Sequence, residues 1–200
     1  FVSLLFLLYL LVVILVHFLL PHRFRWVWLL LASYFFYGFA NPWLLFLIIG
    51  VTLVCYLCAL GIRRFEKRKK LFLALSLIIS LGCLFVFKYL DFAIDSIIKL
   101  SHLFGSSWEM DPLSIILPVG ISFYTFQALS YVVDVYKGKM EAEAHFGYFA
   151  LYVSFFPQLV AGPIERSENL LPQLKEERRF DKENLFIGMR YIVIGYLKKV

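Results

Sequence analysis

Charge is scarce in this chain: only 17% of its 200 residues are Asp, Glu, Lys or Arg, against 62% hydrophobic and 19% aromatic. A soluble domain carries about 25% charged and about 45–50% apolar residues, so water cannot be the solvent for most of this surface. Six of the seven prolines stand at the ends of apolar runs or in short interruptions of them, and Pro172 stands in a charged segment. Three cysteines give no disulfide framework. Cys55-x-x-Cys58 and Cys83 sit inside apolar runs without the further ligands that zinc spacing needs, and they read as small buried hydrophobes, with no metal expected. The four histidines, His17, His22, His102 and His145, have no acid or nucleophile at a catalytic spacing. The basic residues behind the net charge of +6 cluster beside apolar runs rather than on a polar face. That placement excludes nucleic acid as a partner and points to membrane lipid head groups.

What is present is a series of long apolar runs. In hydrocarbon only helices and closed barrels satisfy every backbone group, and continuous runs exclude the alternating barrel pattern. The expectation is an all-α, polytopic transmembrane protein forming one integral-membrane domain over 1–200. Spans are expected at about 1–20, 26–40, 43–62, 71–87 and 113–136, with a turn at Asn41-Pro42. Phe1 to Leu20 lacks a basic leader and a cleavage site and counts as a span. Residues 146–164 are apolar but broken by Pro157, Gly162 and Pro163, which predicts a broken or re-entrant helix; a further helix starts at 184–200. The chain's end at "LKKV" looks like a truncation.

Orientation follows from the short basic loops. "PHRFR" (Pro21 to Arg25), "RRFEKRKK" (Arg63 to Lys70), Lys137 and Lys139 should lie in the cytoplasm. The loop from Lys88 to Asp111 should lie outside; it holds Asp91, Asp95, Glu109 and Asp111 against Lys88 and Lys99. Within that loop, Tyr89 to Phe104 is expected to form a separate amphipathic helix in the interface. Glu168 to Glu183 mixes charges and reads as a solvated surface segment.

One span carries polar groups. Gly120, Tyr124, Gln127, Tyr131 and Asp134 fall at offsets of 0, 4, 7, 11 and 14 residues, which is a single helical stripe. Facing Asp134 to the bilayer centre costs about 2.5–3.5 kcal/mol, so the stripe must meet protein or water. Interhelical hydrogen bonding and a polar tunnel are both open readings. In "SFFPQLVAGPIER" the backbone groups freed by the breaks have Gln158, Glu165 and Arg166 nearby. Arg166 could meet an anionic group, with Glu165 as its competing partner.

"LPVGISFYTFQALSYVVDVYKG", "FFPQLVAGPIER" and "GMRYIVIGYLKKV", together with "LLLASYFFYGFANPWLL", resemble the membrane-bound O-acyltransferase family, in the branch of the alginate O-acetyltransferase membrane subunit. The resemblance covers essentially the whole chain as an amino-terminal portion. It implies a partial ring of tilted helices around a central tunnel in a multi-pass bacterial plasma-membrane enzyme. No cofactor is bound. An acyl group, acetyl by preference, passes from a thioester co-substrate such as acetyl-CoA or an acyl carrier protein to hydroxyls of an exported polysaccharide or envelope glycan, or through a periplasmic acyl-transfer partner protein. The family's catalytic histidine is expected beyond Val200, so no catalytic residue is assigned to this chain, which by itself would be inactive. On this reading Pro118, Gly120, Ser122, Tyr124, Gln127 and Tyr131 belong to the core or tunnel wall, and Pro157, Gln158, Gly162, Pro163 and Arg166 shape the broken helix. A non-enzymatic membrane subunit and, less favoured, a transporter are the rivals.

Overall fold

A computed structural model describes residues 4–39, 41–103, 118–159, 162, 164–177 and 180–199. Every described element is a helix: α1 (Leu4–Leu19), α2 (His22–Gly38), α3 (Leu44–Arg64), α4 (Lys69–Leu103), α5 (Ile121–Tyr136), α6 (Phe146–Ser154), α7 (Phe156–Leu159), α8 (Ser167–Lys175) and α9 (Lys182–Lys199), with a single 3-10 turn at Glu66–Arg68. Two segments are long and apolar enough to cross a membrane, Leu44–Arg64 at mean hydropathy 2.7 and Glu66–Leu100 at 2.4, and Leu5–Leu19 is apolar but shorter.

The helix ends follow local chemistry. α2 and α3 are joined where expected: the Asn41 side chain accepts the Trp43 amide at 3.1 Å, so the asparagine closes the turn itself. α5 ends in a glycine cap, with Gly138 at φ 71, its amide on the Val135 carbonyl at 3.0 Å and the Lys139 amide on the Asp134 carbonyl at 3.0 Å. α6 is capped by His145, whose Nδ1 accepts the Gly147 amide at 3.1 Å. A structural duty thus accounts for that histidine.

α4 departs from expectation. The predicted span at 71–87 and the separate interfacial helix from Tyr89 are one continuous helix through Leu103. No proline or glycine follows Gly82 within it, so the first charges, Lys88 and Asp91, arrive without anything to stop the helix. Its 35 residues make a rod about 52 Å long, well beyond a hydrocarbon core of about 30 Å. Phe104, Glu109, Asp111 and the start of the fifth predicted span, 113–117, lie outside the described residues. Glu168 to Glu183 also differs from expectation: its first part is α8, which buries Leu170 and Leu171.

The core is an α3–α4–α5 packet with α6 laid against it. Ile48, Cys55 and Ala59 of α3, Leu84 of α4, Ala128, Tyr131 and Val132 of α5 and Phe149 of α6 meet there. A smaller cluster joins Val13, Ala32 and Phe156, tying α1 and α2 to α7. Outside these clusters the surface is apolar: Leu8, Leu11, Phe35, Phe46, Ile78, Phe92 and others are more than half exposed or close to it. Only 17% of the α4 span is buried inside the protein, so its remaining faces suit lipid, not water.

Candidate functional site

The α5 stripe is turned fully inward. Tyr124, Gln127, Tyr131 and Asp134 are all buried, and they stand in sequence down the face that meets α6 and the turns around it. Gln127 donates its Nε2 to the Tyr152 carbonyl at 2.8 Å. Tyr152 answers with its hydroxyl, which donates to the Glu165 carbonyl at 2.9 Å and reaches the Gln127 carbonyl at 3.4 Å. The Tyr131 hydroxyl accepts the Glu143 amide at 2.7 Å, and its ring lies 4.5 Å from that of Phe149. Asp134 stands 3.8 Å from the Lys139 ammonium at the end of the helix. Three of the four polar groups thus bind the segment from Lys139 to Glu165. Tyr124 behaves differently. Its ring meets Tyr37 edge-on at 6.1 Å, and the two buried hydroxyls stand near each other outside hydrogen-bond geometry.

The broken segment enters and leaves at one end of the bundle. His145 begins it beside Trp26, with ring centroids 4.8 Å apart. α6 and α7 then run about 20 Å toward the start of α5. There the Leu159 carbonyl lies 2.4 Å from where a Gly120 Cβ would stand, and Gly120 itself is at φ 78. The chain turns back through Gly162 and Ile164. Ser167 reaches Met140 at 2.9 Å, and Lys175 pairs with Glu143, both back at the starting end. Gly147 permits this packing, since a Cβ there would come within 2.2 Å of Trp26.

Among the described residues, the freed backbone of the break is bonded by side chains other than Gln158, Glu165 and Arg166. The Phe156 amide is taken by the Ser33 hydroxyl at 3.2 Å, which itself donates to Leu29, and the Glu165 carbonyl is taken by Tyr152. Gln158 keeps a buried Oε1 without a partner among the described residues. Glu165 holds Asn169 at 3.0 Å instead of Arg166, and Arg166 is exposed at the start of α8. Pro157 is exposed just inside α7, where a missing amide costs little, and Pro163 lies outside the described residues. Ser33 was legible only as a lone hydroxyl in "LLLASYFFYG", a signal shared by any serine that bonds its own helix.

Cavities open at both ends of this packet. Lys88, Pro118, Gly120, Ser122, Phe126 and Ile164 line one of about 570 Å³, in which the Lys88 ammonium donates to the Ser122 hydroxyl at 3.1 Å. At the other end Arg63, Glu141, Glu143, Ser167 and Lys175 line one of about 750 Å³, and Arg63, Lys69, Tyr136 and Lys139 part of a neighbouring one of about 470 Å³. From Lys69 to Lys88 the rise of α4 is about 28 Å, so the two ends stand one hydrocarbon thickness apart. The basic segments gather at one of them: His22 and Arg25 share a recess with Gln173, Arg63 bonds the Ala142 carbonyl at 3.3 Å, and Lys69 sits over the Tyr136 ring at 5.4 Å. No cluster of three His, Cys, Asp or Glu side chains able to hold a metal occurs among the described residues.

Comparison with known proteins adds identity to this geometry. No family model and no solved structure matches the chain. Among curated proteins, the probable alginate O-acetylase AlgI of Pseudomonas aeruginosa is 36% identical over 192 residues, 92% of this chain and 36% of the relative. The peptidoglycan O-acetyltransferase of Helicobacter pylori is 35% identical over 204 residues, 87% of this chain and 37% of the relative. The teichoic acid D-alanyltransferase of Bacillus subtilis is more distant, at 27% over 44% of the chain. The chain thus spans a little over a third of the length of the curated relatives it matches most extensively. With identity of this level across nine-tenths of its residues, the chain belongs to the membrane-bound O-acyltransferase family, in the branch of the alginate and peptidoglycan O-acetyltransferases.

Proposed function

We propose that the chain is part of a multi-pass plasma-membrane O-acyltransferase. It moves an acyl group, acetyl by preference, from a thioester donor such as acetyl-CoA or an acyl carrier protein at the basic end to hydroxyls of an exported polysaccharide or cell-envelope glycan at the other. The observation that carries this reading is the identity to two O-acetyltransferases over nine-tenths of the chain. The geometry supports it in a specific way. A segment that enters and leaves at the basic end, pinned by Gln127, Tyr131 and Tyr152, brings irregular backbone within reach of the far cavity. Irregular backbone at such depth is tolerated only where protein or a water-filled cavity surrounds it. In this reading α5, α6 and α7 hold the wall between two mouths, one lined by Lys88, Pro118, Gly120 and Ser122 and the other by Arg63, Glu143 and Lys175.

The test is carried out in the organism that encodes the protein. Deleting the gene should remove ester-linked acetate from one exported glycan, measured by mild-base acetate release from purified polysaccharide and peptidoglycan. Restoring the intact gene should return it, and restoring the Gln127→Leu form should return less at equal membrane abundance. Unchanged acetate on every glycan after deletion overturns the proposal.

A further inference from the structure

We infer that the cavity of about 470 Å³ between the α3–α4 corner and the end of α5 is a binding site for the phosphate of an anionic membrane lipid. This inference needs the chain to sit in a membrane and does not depend on acyl transfer.

Three cations from three segments line the cavity: Arg63 at the end of α3, Lys69 at the start of α4 and Lys139 after α5. None is engaged at the separation of about 2.7–2.9 Å typical of a charge-assisted hydrogen bond. Arg63 stands 3.8 Å from Glu141, whose side chain is 88% exposed, and 3.3 Å from the Ala142 carbonyl. Lys139 stands 3.8 Å from Asp134, and Lys69 lies over the Tyr136 ring. Two carboxylates, Glu66 and Glu141, also line the cavity, but the neighbouring corner adds exposed Arg64, Lys67, Arg68 and Lys70, and the field at the mouth is positive. The glycine cap at Gly138 fixes where Lys139 begins, so the third cation is placed by backbone geometry.

The surroundings choose the source of the phosphate. Phe65 is half-exposed at the corner, stacked on Phe72, with the Arg64 guanidinium 6.0 Å from its ring. Leu71, Leu75 and Ile78, spaced for one helical face, are 52%, 39% and 69% exposed and lead away from the corner along α4. That face lies on the opposite side of α4 from Lys69, so it does not lead an acyl chain into the cavity; it marks the depth at which hydrocarbon begins, level with Lys69, which is where a lipid carries its phosphate.

The experiment uses the purified full chain in detergent, with lipid retention counted by native mass spectrometry and phosphatidylglycerol compared with phosphatidylcholine. Phosphatidylglycerol should be retained at least about tenfold better, in keeping with the attraction of basic residues to anionic head groups. The pair Lys69→Gln and Lys139→Gln should lose most of that preference, and the pair Lys69→Arg and Lys139→Arg should keep it. Lys67→Gln with Lys70→Gln, outside the cavity, should change it less than about twofold. Helical circular dichroism confirms that each variant folds, and the arginine pair tests the charge where the glutamine pair does not fold. Equal loss in both glutamine pairs would mean diffuse surface attraction and overturn the site. So would the absence of any preference for phosphatidylglycerol. Displacement of the lipid by millimolar glycerol 3-phosphate would overturn the lipid assignment in favour of a soluble phosphate ligand.

Discussion

α4 and α5 lie side by side and are both apolar helices, yet one faces outward and the other inward. Only 17% of the α4 span is buried, whereas α5 buries ten of its sixteen residues, from Ile121 to Val135. Apolar content does not separate them, because lipid is as apolar as leucine and offers no hydrophobic drive for one helix to hide behind another. Polar side chains do. On α5 large ones, Tyr124, Gln127, Tyr131 and Asp134, face protein, and three of them bind the segment beyond the helix. On α4 the fully buried polar side chains, among the described residues, are the small Ser76 and Ser80, and Ser80 meets Cys55 of α3 at 3.4 Å; the longer Lys88 reaches Ser122 of α5 only at the cavity end. Small residues let helix axes approach; large polar ones cross-link what has approached.

That contrast can be broken severely where backbone meets backbone. Gly120→Ala should destabilise the fold by about 3 kcal/mol, because it combines left-handed backbone strain of about 1–2 kcal/mol with overpacking of about 1–3 kcal/mol against the Leu159 carbonyl, 2.4 Å away. Unfolding in mixed micelles under increasing denaturing detergent measures it. A loss below about 0.5 kcal/mol would show that the α7 turn does not press on α5. Gln127→Leu comes next. It keeps the side chain's bulk but leaves the Tyr152 carbonyl buried and unpaired, which should cost about 1–3 kcal/mol. Ser33→Ala should cost about 1 kcal/mol, since the Phe156 amide loses its acceptor, and it should speed proteolysis within 155–159 more than elsewhere.

How much of this the sequence held differs by element. The all-helical class, the Asn41-Pro42 turn, the break after Ser154 and the inward stripe were legible, because each rests on local chemistry or on a period of 3.6. The continuous α4 was not. Its charges at Lys88, Asp91 and Asp95 signal an interface, but an interface does not stop a helix that has no proline or glycine there. The partners of the broken segment were also hidden. Ser33 stands 123 residues from Phe156 and Tyr152 thirteen from Glu165, and neither pairing leaves a periodic trace. The α5 stripe leaves a tunnel wall and a packed cross-link equally open in the sequence, because both are polar.

The smallest expected effect sharpens the comparison best. Ile78 is 69% exposed on α4, two residues from buried Ser76 and Ser80 and so on the opposite side of the helix, whereas Ile48 on α3 is 0% exposed. In water, an isoleucine that exposed on a folded surface and one fully buried would differ in the familiar way. In the proposed membrane setting both leave water, one into lipid and one into protein, so the difference comes from packing. Ile48→Ala should cost about 2–5 kcal/mol, because the surrounding helices cannot close the cavity fully. Ile78→Ala should cost less than about 0.5 kcal/mol, as for other surface substitutions, because lipid flows into the space it leaves. Measured by the same micelle unfolding, near-equal losses would mean that the outer face of α4 is packed against protein in the folded state and is not a lipid face at all. An Ile78→Ala loss within error beside a large Ile48→Ala loss assigns the two faces as described and separates packing from solvent transfer in one protein.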